Sequence, residues 1–478
     1  MFPSLAALNP IVLLLFLLLA WVFTWSYRPS LLQWLSSHLL GGHKPSVFYQ
    51  EGSAFCDRIV NKCPILQEKY TPPFLWGRSG HVQSIMFGLI GRFNVRPIRG
   101  HQRYSVATSD GSTLYYDLHE PEGDKEDCPY TILVCPGIGN SSESKYMSTF
   151  TSHALACGFR VLLYNHLGAL KGEKLTGPRI FTYGGTGDLS AIFDHASKLH
   201  PNTRWVGIGF SLGGCILTRF LGEDSERRRK FVCAASVCQG YDPMLCMSYL
   251  NDWTNLRCFY NYIITQKQLA FIRRHSDTLL TSSSKAITHD HNLSDVNCKQ
   301  KLSQQSTDDP RIHPNPNLNT PSKTTQSHPL IYHCHGNYDH NGIALDISRV
   351  QPPDYQRLNR VTSMLDLDEF YTRRVCGFSS VVDLYRWTSC IKLLYEINDL
   401  PVLIVNTNDD PLVVLANTRI LDIPKSYVEH NSNALLVIPK HGGHLGFFEG
   451  GAIVPNTTSW IDRLLVQYAQ ACSNELTD

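Results

Sequence analysis

Residues 205–221 place the tightest constraint on what this chain can fold into. Gly209-Phe-Ser-Leu-Gly213 fits the pattern G-x-S-x-G. An apolar run at 205–208 precedes it, and apolar residues at helical spacing follow at 215–221. A strand that turns this sharply into a helix leaves no room for side chains beside the serine. Ser211 is then held in a strained conformation with its hydroxyl clear of the sheet. A chance glycine-rich turn matches the same letters; the flanking strand and helix separate the two readings.

The surrounding periodicity supports that context. Strands are predicted at 131–135, 161–165, 205–208, 231–237, 402–406 and 434–439, and a hairpin at 101–108 and 113–119 turns on Asp110-Gly111. Helices are predicted at 145–157, 187–200, after Ser211, near 412–420 and at 457–471. Alternation of this kind gives an α/β fold, a mostly parallel sheet with helices on both faces. Between 237 and 401 the alternation stops. Helices predicted at 253–274 and 366–395 would lie over the carboxyl edge of the sheet. From 281 to 353 the composition shifts to Ser, Thr, Asn, Gln, His and Pro, too few apolar side chains to offset the entropy of ordering, so this stretch reads as a disordered insertion. His333-Cys-His335 with His340 lies within it. No second ligand pair fixes a metal-binding spacing there, and no metal is expected.

The amino terminus is of a different character. Residues 1–27 contain no charged side chain and 11–27 are almost wholly apolar, about 25 Å as a helix. The basic leader and small-residue cleavage site of a signal peptide are absent, while Trp21, Trp25 and Tyr27 form an aromatic belt ahead of Arg28. We expect an uncleaved transmembrane anchor at 1–28, a juxtamembrane segment at 29–100, a globular domain in two parts at 101–280 and 354–472, and the insertion between them. Its orientation stays open from residues alone. Arg28 and Lys44 follow the span, favouring a cytoplasmic domain, whereas the sequons at Asn140, Asn292 and Asn456 could be used only in a lumen. The net charge of +2 and the lack of a basic tract exclude a nucleic-acid partner. Fifteen cysteines, an odd number, do not form a fully paired framework; a bridge such as Cys56–Cys63 is allowed but not required.

A serine hydroxyl needs a base to become a nucleophile, and a neutral imidazole serves near pH 7. Asn408-Asp-Asp-Pro411 follows the strand at 402–406, and His441-Gly-Gly-His444 follows the strand at 434–439. Both lie at strand ends where a parallel sheet gathers its ligand-binding loops. We take Asp410, which abuts the turn at Pro411, as the acid; Asp409 could cap the next helix. The paired glycines let the loop fold back, which makes His444 the base rather than His441. Two amides should stabilise an oxyanion: that of Leu212, next to the nucleophile, and one from Pro136-Gly-Ile-Gly139, with Ile138 first and Gly137 second.

These motifs resemble the abhydrolase-domain family. The resemblance rests on Gly209-Phe-Ser-Leu-Gly-Gly214, Asn408-Asp-Asp-Pro411 and His441-Gly-Gly-His-Leu-Gly-Phe447, with Trp76-Gly-Arg-Ser-Gly-His-Val-Gln-Ser84 and Phe181-Thr-Tyr-Gly184 upstream. It covers about 45–280 and 360–470. It implies an α/β-hydrolase fold with an eight-stranded sheet and a helical lid, and a serine hydrolase that cleaves monoacylglycerols and related esters without a cofactor. The family triad carries over to Ser211, Asp410 and His444. The resemblance also implies a single-pass type II membrane protein glycosylated at Asn140, with the bilayer and its lipid esters as partners and the oligomeric state undetermined. The insertion at 281–353 departs from the pattern and puts lid and specificity in question. Two other readings are weighed: an acyltransferase working through the same acyl-enzyme, and a non-catalytic hydrolase-fold receptor, which would ordinarily have lost a triad residue.

Overall fold

A computed structural model of the chain describes residues 42–475, except 96, 97, 99, 122–128, 178, 254, 255, 280–350, 416 and 417. The anchor at 1–28 and all but the last three residues of the insertion at 281–353 lie outside the described residues. Among the described residues no helix is long and apolar enough to cross a membrane.

Among the described residues nine strands form one sheet: β1 Ser46–Phe48, β2 Gln102–Ala107, β3 Thr113–His119, β4 Tyr130–Cys135, β5 Arg160–Tyr164, β6 Arg204–Phe210, β7 Phe231–Val237, β8 Val402–Val405 and β9 Ala434–Ile438. Their order is β1-β9-β8-β7-β6-β4-β5-β3-β2. From β9 to β5 every pairing is parallel; β1, β3 and β2 join antiparallel at the two edges. The expectation of eight strands is thus one short. The ninth, β1, comes from the segment expected to be merely juxtamembrane and pairs with β9.

The central strands are apolar at nearly every position because both faces are covered. Ile132 and Val134 of β4 pack with helices α1 Ala54–Lys62, α3 Lys145–Ala156 and α11 Trp460–Glu475. Leu133 and Cys135 face the opposite core, shared with α4 Gly187–Leu199 and α5 Leu212–Glu223. Over the carboxyl edge lies a cap of α6 Pro243–Leu250, α7 Arg257–Arg274 and a run of short turns from Tyr355 to Val375 that includes a π-helix at Asp368–Thr372. A further helix, α2 Gly80–Ile90, comes from the amino-terminal arm.

Two helix expectations are corrected. The helix expected across 366–395 breaks twice, after Val375 at Gly377, whose φ is 75°, and again between α8 Val381–Thr388 and α9 Ile391–Tyr395. There the Trp387 and Ser389 carbonyls accept from the buried Arg219, and the Cys390 amide donates to Tyr241. The described residues of 412–420 are not helical, and the helix described after β8 is α10 Asp422–Glu429. The Asp410 carboxylate accepts from the amides of Leu412 and Val413, a local turn that competes with helix. Cys56 and Cys63 are free, buried thiols.

Candidate active site

Ser211 stands between β6 and α5 with φ 54° and ψ −118°, a region non-glycine residues avoid. Two constraints hold it there. Its amide donates to the Val237 carbonyl at 2.7 Å, tying the turn to β7. Gly213 passes so close to the neighbouring loop that a Cβ would sit 2.1 Å from the Cys135 carbonyl oxygen, so any side chain would push the elbow off the sheet.

The loops after β8 and β9 bring two more groups to the same edge. The Ser211 hydroxyl donates to His444 Nε2 at 2.9 Å, and His444 Nδ1–H donates to Asp410 Oδ2 at 2.8 Å. Asp410 is buried and its other oxygen is taken by the two amides of the turn. With an acceptor fixed on Nδ1, the neutral tautomer leaves Nε2 free to take the serine proton. Asp409 is not a helix cap; it accepts from the Gly443 amide at 2.8 Å and lies 3.3 Å from His441 Nδ1, so this pair braces the loop. Cys238 closes the back of the site. Its sulfur lies within 4.8 Å of the Asp410 and His444 ligand atoms. Burial, with the Asp410 charge beside it, raises the Cys238 thiol well above its ordinary range, so it stays protonated.

The oxyanion candidates differ in availability. Leu212 opens α5, where a first-turn amide has no partner within the helix. The Gly137 amide already donates to the Tyr146 hydroxyl at 3.0 Å. That leaves Ile138, half-buried on the same loop, as the donor the loop can spare. Below the loop, His166 Nε2–H donates to the Pro136 carbonyl at 3.0 Å. Burial lowers the His166 imidazole to about 4, so it is a neutral prop. Asn140 ends the loop half-buried, its Oδ1 3.4 Å from both Ser144 Oγ and Lys267 Nζ.

The stretch from Trp76 to Ser84 shows no chemical task in the sequence alone. In the structure it clasps the histidine loop. Ser84 Oγ accepts from the His444 amide at 2.8 Å and donates to the Gly80 carbonyl at 2.7 Å. Gln83 accepts from the Phe448 amide at 3.0 Å. The clasp is close: a Cβ on Gly443 would lie 2.3 Å from the Gly80 carbonyl oxygen. Buried Arg92 adds bonds to the Leu445 carbonyl and Ser459. Leu445 and Phe447 hold positive φ, 64° and 45°, a strained loop that needs such external bracing. The signal was the cluster of polar residues within an otherwise apolar helix, legible only once its partner was known.

Similarity to known proteins agrees with this geometry. The family described as alpha/beta hydrolase fold matches residues 130–451. Monoacylglycerol lipase ABHD2 of Homo sapiens is 34% identical over 430 residues, 89% of this chain and 85% of that protein. Abhydrolase domain-containing protein 2 of Drosophila melanogaster is 34% identical over 424 residues, covering 88% and 89% respectively. Phospholipase ABHD3 of Homo sapiens is 23% identical over 425 residues, covering 88% and 83%. With its elbow serine, its sheet and a likeness that spans nearly the whole chain, this protein belongs to the abhydrolase-domain family of the alpha/beta hydrolase fold.

Proposed function

We propose that this carboxylic ester hydrolase cleaves monoacylglycerols and related membrane lipid esters through Ser211, His444 and Asp410. The observation that carries the reading is the continuous hydrogen-bonded series from the Ser211 hydroxyl through His444 to Asp410 at the end of the elbow. Ser211 Oγ attacks the acyl carbonyl as its proton passes to His444 Nε2. The amides of Leu212 and Ile138 receive the oxyanion. His444 then gives the proton to the departing glycerol oxygen, leaving an acyl-enzyme on Ser211. Water, deprotonated by the same imidazole, releases the fatty acid. Asp410 holds the imidazolium without taking its proton.

The apolar stretch at 11–27 supports an anchored, single-pass protein that shares a surface with its substrate. On a type II arrangement the catalytic domain is lumenal or extracellular, and Asn140-Ser-Ser becomes a usable sequon. The relatives named as lipases and a phospholipase support a lipid ester.

Wild-type protein supplied with labelled monoacylglycerol should release free fatty acid, and Ser211→Ala or His444→Ala should abolish release. Retained release in Ser211→Ala would count against the nucleophile. Acylated alcohol exceeding free fatty acid, with a candidate acceptor present, would replace hydrolysis by acyl transfer.

A further inference from the structure

The cap carries an apolar surface that the chemistry of the triad does not explain. On the first two turns of α7, Phe259, Tyr262 and Ile263 are 42%, 43% and 48% exposed, and Trp253 just ahead of the helix is 86% exposed. The three helical positions stand at i, i+3 and i+4 and so form one stripe. Met244 on α6 and Leu365 in the turns that follow are also exposed cap residues. Three large apolar side chains exposed along one helical stripe, with further exposed apolar residues on the same cap, mark an interaction site.

The composition along α7 distinguishes among partners. Its exposed positions run from Phe259, Tyr262 and Ile263 to Arg273 at the far end, the helix contains no acidic residue, and its other cations there are engaged by the protein, Lys267 Nζ 3.4 Å from Asn140 Oδ1 and the Arg274 guanidinium on the Gly168 and Ala169 carbonyls. An apolar, aromatic end followed by a cationic end suits an interface of acyl chains and headgroups. The stripe is also beside the site. Tyr260, between Phe259 and Tyr262, is buried, and its hydroxyl lies 2.9 Å from His81 Nδ1. His81 follows Gly80, whose Cα packs on the Asp409 carbonyl. The chain outside the described residues points to the same partner. Gly42, where the arm begins, is separated from the apolar stretch at 11–27 by only the fourteen residues 28–41, a tether of at most about 50 Å.

We infer that the Trp253, Phe259, Tyr262 and Ile263 face of the cap inserts into the bilayer surface, seating the mouth of the active site on the lipid that holds its substrate. This rests on the lipid-ester reading and the anchor, and it adds a second, peripheral attachment. A membrane-seated mouth receives a monoacylglycerol laterally, headgroup first, without its acyl chain crossing water.

The test uses the full chain reconstituted in phosphatidylcholine vesicles containing dibrominated phosphatidylcholine, in the Ser211→Ala background so that binding is read apart from turnover. Tryptophan quenching should fall measurably when Trp253→Phe removes one of the eight tryptophans. Identical quenching with and without Trp253 would overturn the inference. In the active protein, Phe259→Glu with Ile263→Glu should lower kcat/KM for bilayer-borne monoacylglycerol roughly tenfold or more while hydrolysis of a water-soluble short-chain ester stays within about twofold. A parallel loss of both rates, or a change in neither, would also overturn it. A halved particle mass on introducing the two glutamates, with bilayer quenching absent, would assign the stripe to a second copy instead. Failure of the wild type to cleave any ester would refute the proposed activity, while the quenching result would still decide the docking surface.

Discussion

At the scale of single residues, three groups can be assigned separable effects. Asp410→Asn would place an amide where His444 Nδ1 needs an acceptor, so kcat should fall by about 10⁴ with the fold retained; steady-state kinetics beside a circular dichroism spectrum would check it. Ser84→Ala removes the acceptor of the His444 amide. It should destabilise the protein by about 1–3 kcal/mol and lower kcat more than it raises KM, since Ser84 acts on the base and not on substrate. A change confined to KM would contradict that assignment. His166 has a pH signature. Its folded value of about 4 lies below the ordinary 6.5, so as pH falls through 6.5 the unfolded chain takes a proton that the folded chain refuses. Stability should drop from pH 6.5 to about 4 and level below that, and denaturant titrations should show a shallower drop for His166→Gln.

At the scale of elements, the cap holds an opposite titration. Asp368, on the π-helix, is buried; its Oδ2 accepts from the Tyr385 hydroxyl at 2.7 Å. Burial raises this carboxyl to about 7, against the opposing pull of the Tyr385, Thr372 and Tyr183 hydroxyls. The folded protein therefore keeps a proton that the unfolded chain releases near its ordinary 3.8. This group subtracts stability as pH rises from 3.8 to about 7 and no more beyond. Asp368→Asn should be more stable than wild type above pH 7, by denaturant titration at pH 8, and the gain should vanish near pH 4. In wild type the His166 and Asp368 slopes offset each other between those limits, which is why single variants are needed to see either. The elements also divide by legibility. The core strands and the elbow were readable because burial on two faces writes an unbroken apolar run, and because glycine beside Ser211 has a local cause. The strand β1, the break at Ser389-Cys390 and the turn that replaces helix at Leu412-Val413 were not. Each is set by a distant partner: β9 for β1, Arg219 and Tyr241 for the break, and the Asp410 carboxylate for the turn. The turn at Pro411 singles out Asp410 over Asp409, and the distances to His444 and His441 give each carboxylate its own partner.

At the scale of the whole molecule, the amino-terminal arm and the hydrolase domain are one catalytic unit. The family match begins at residue 130, yet Gly80, Gln83, Ser84 and Arg92 hold the loop of His444. The arm thus joins the expected anchor to the loop of His444, the proposed base, through fewer than fifty residues, Gly42 to Ser84. For the type II arrangement with a glycan at Asn140, glycosidase treatment of the cell-expressed chain should shift its mass, and Asn140→Gln should reduce that shift; a mass unaffected by glycosidase would count against a glycan at Asn140. The central claim, that Ser211 is an activated nucleophile, is tested most directly by its chemistry with a fluorophosphonate. Mass mapping of the labelled full chain should find the phosphonyl adduct on the peptide containing Ser211, with none in folded Ser211→Ala. An adduct on a different serine, or an unlabelled but folded wild type, would contradict it.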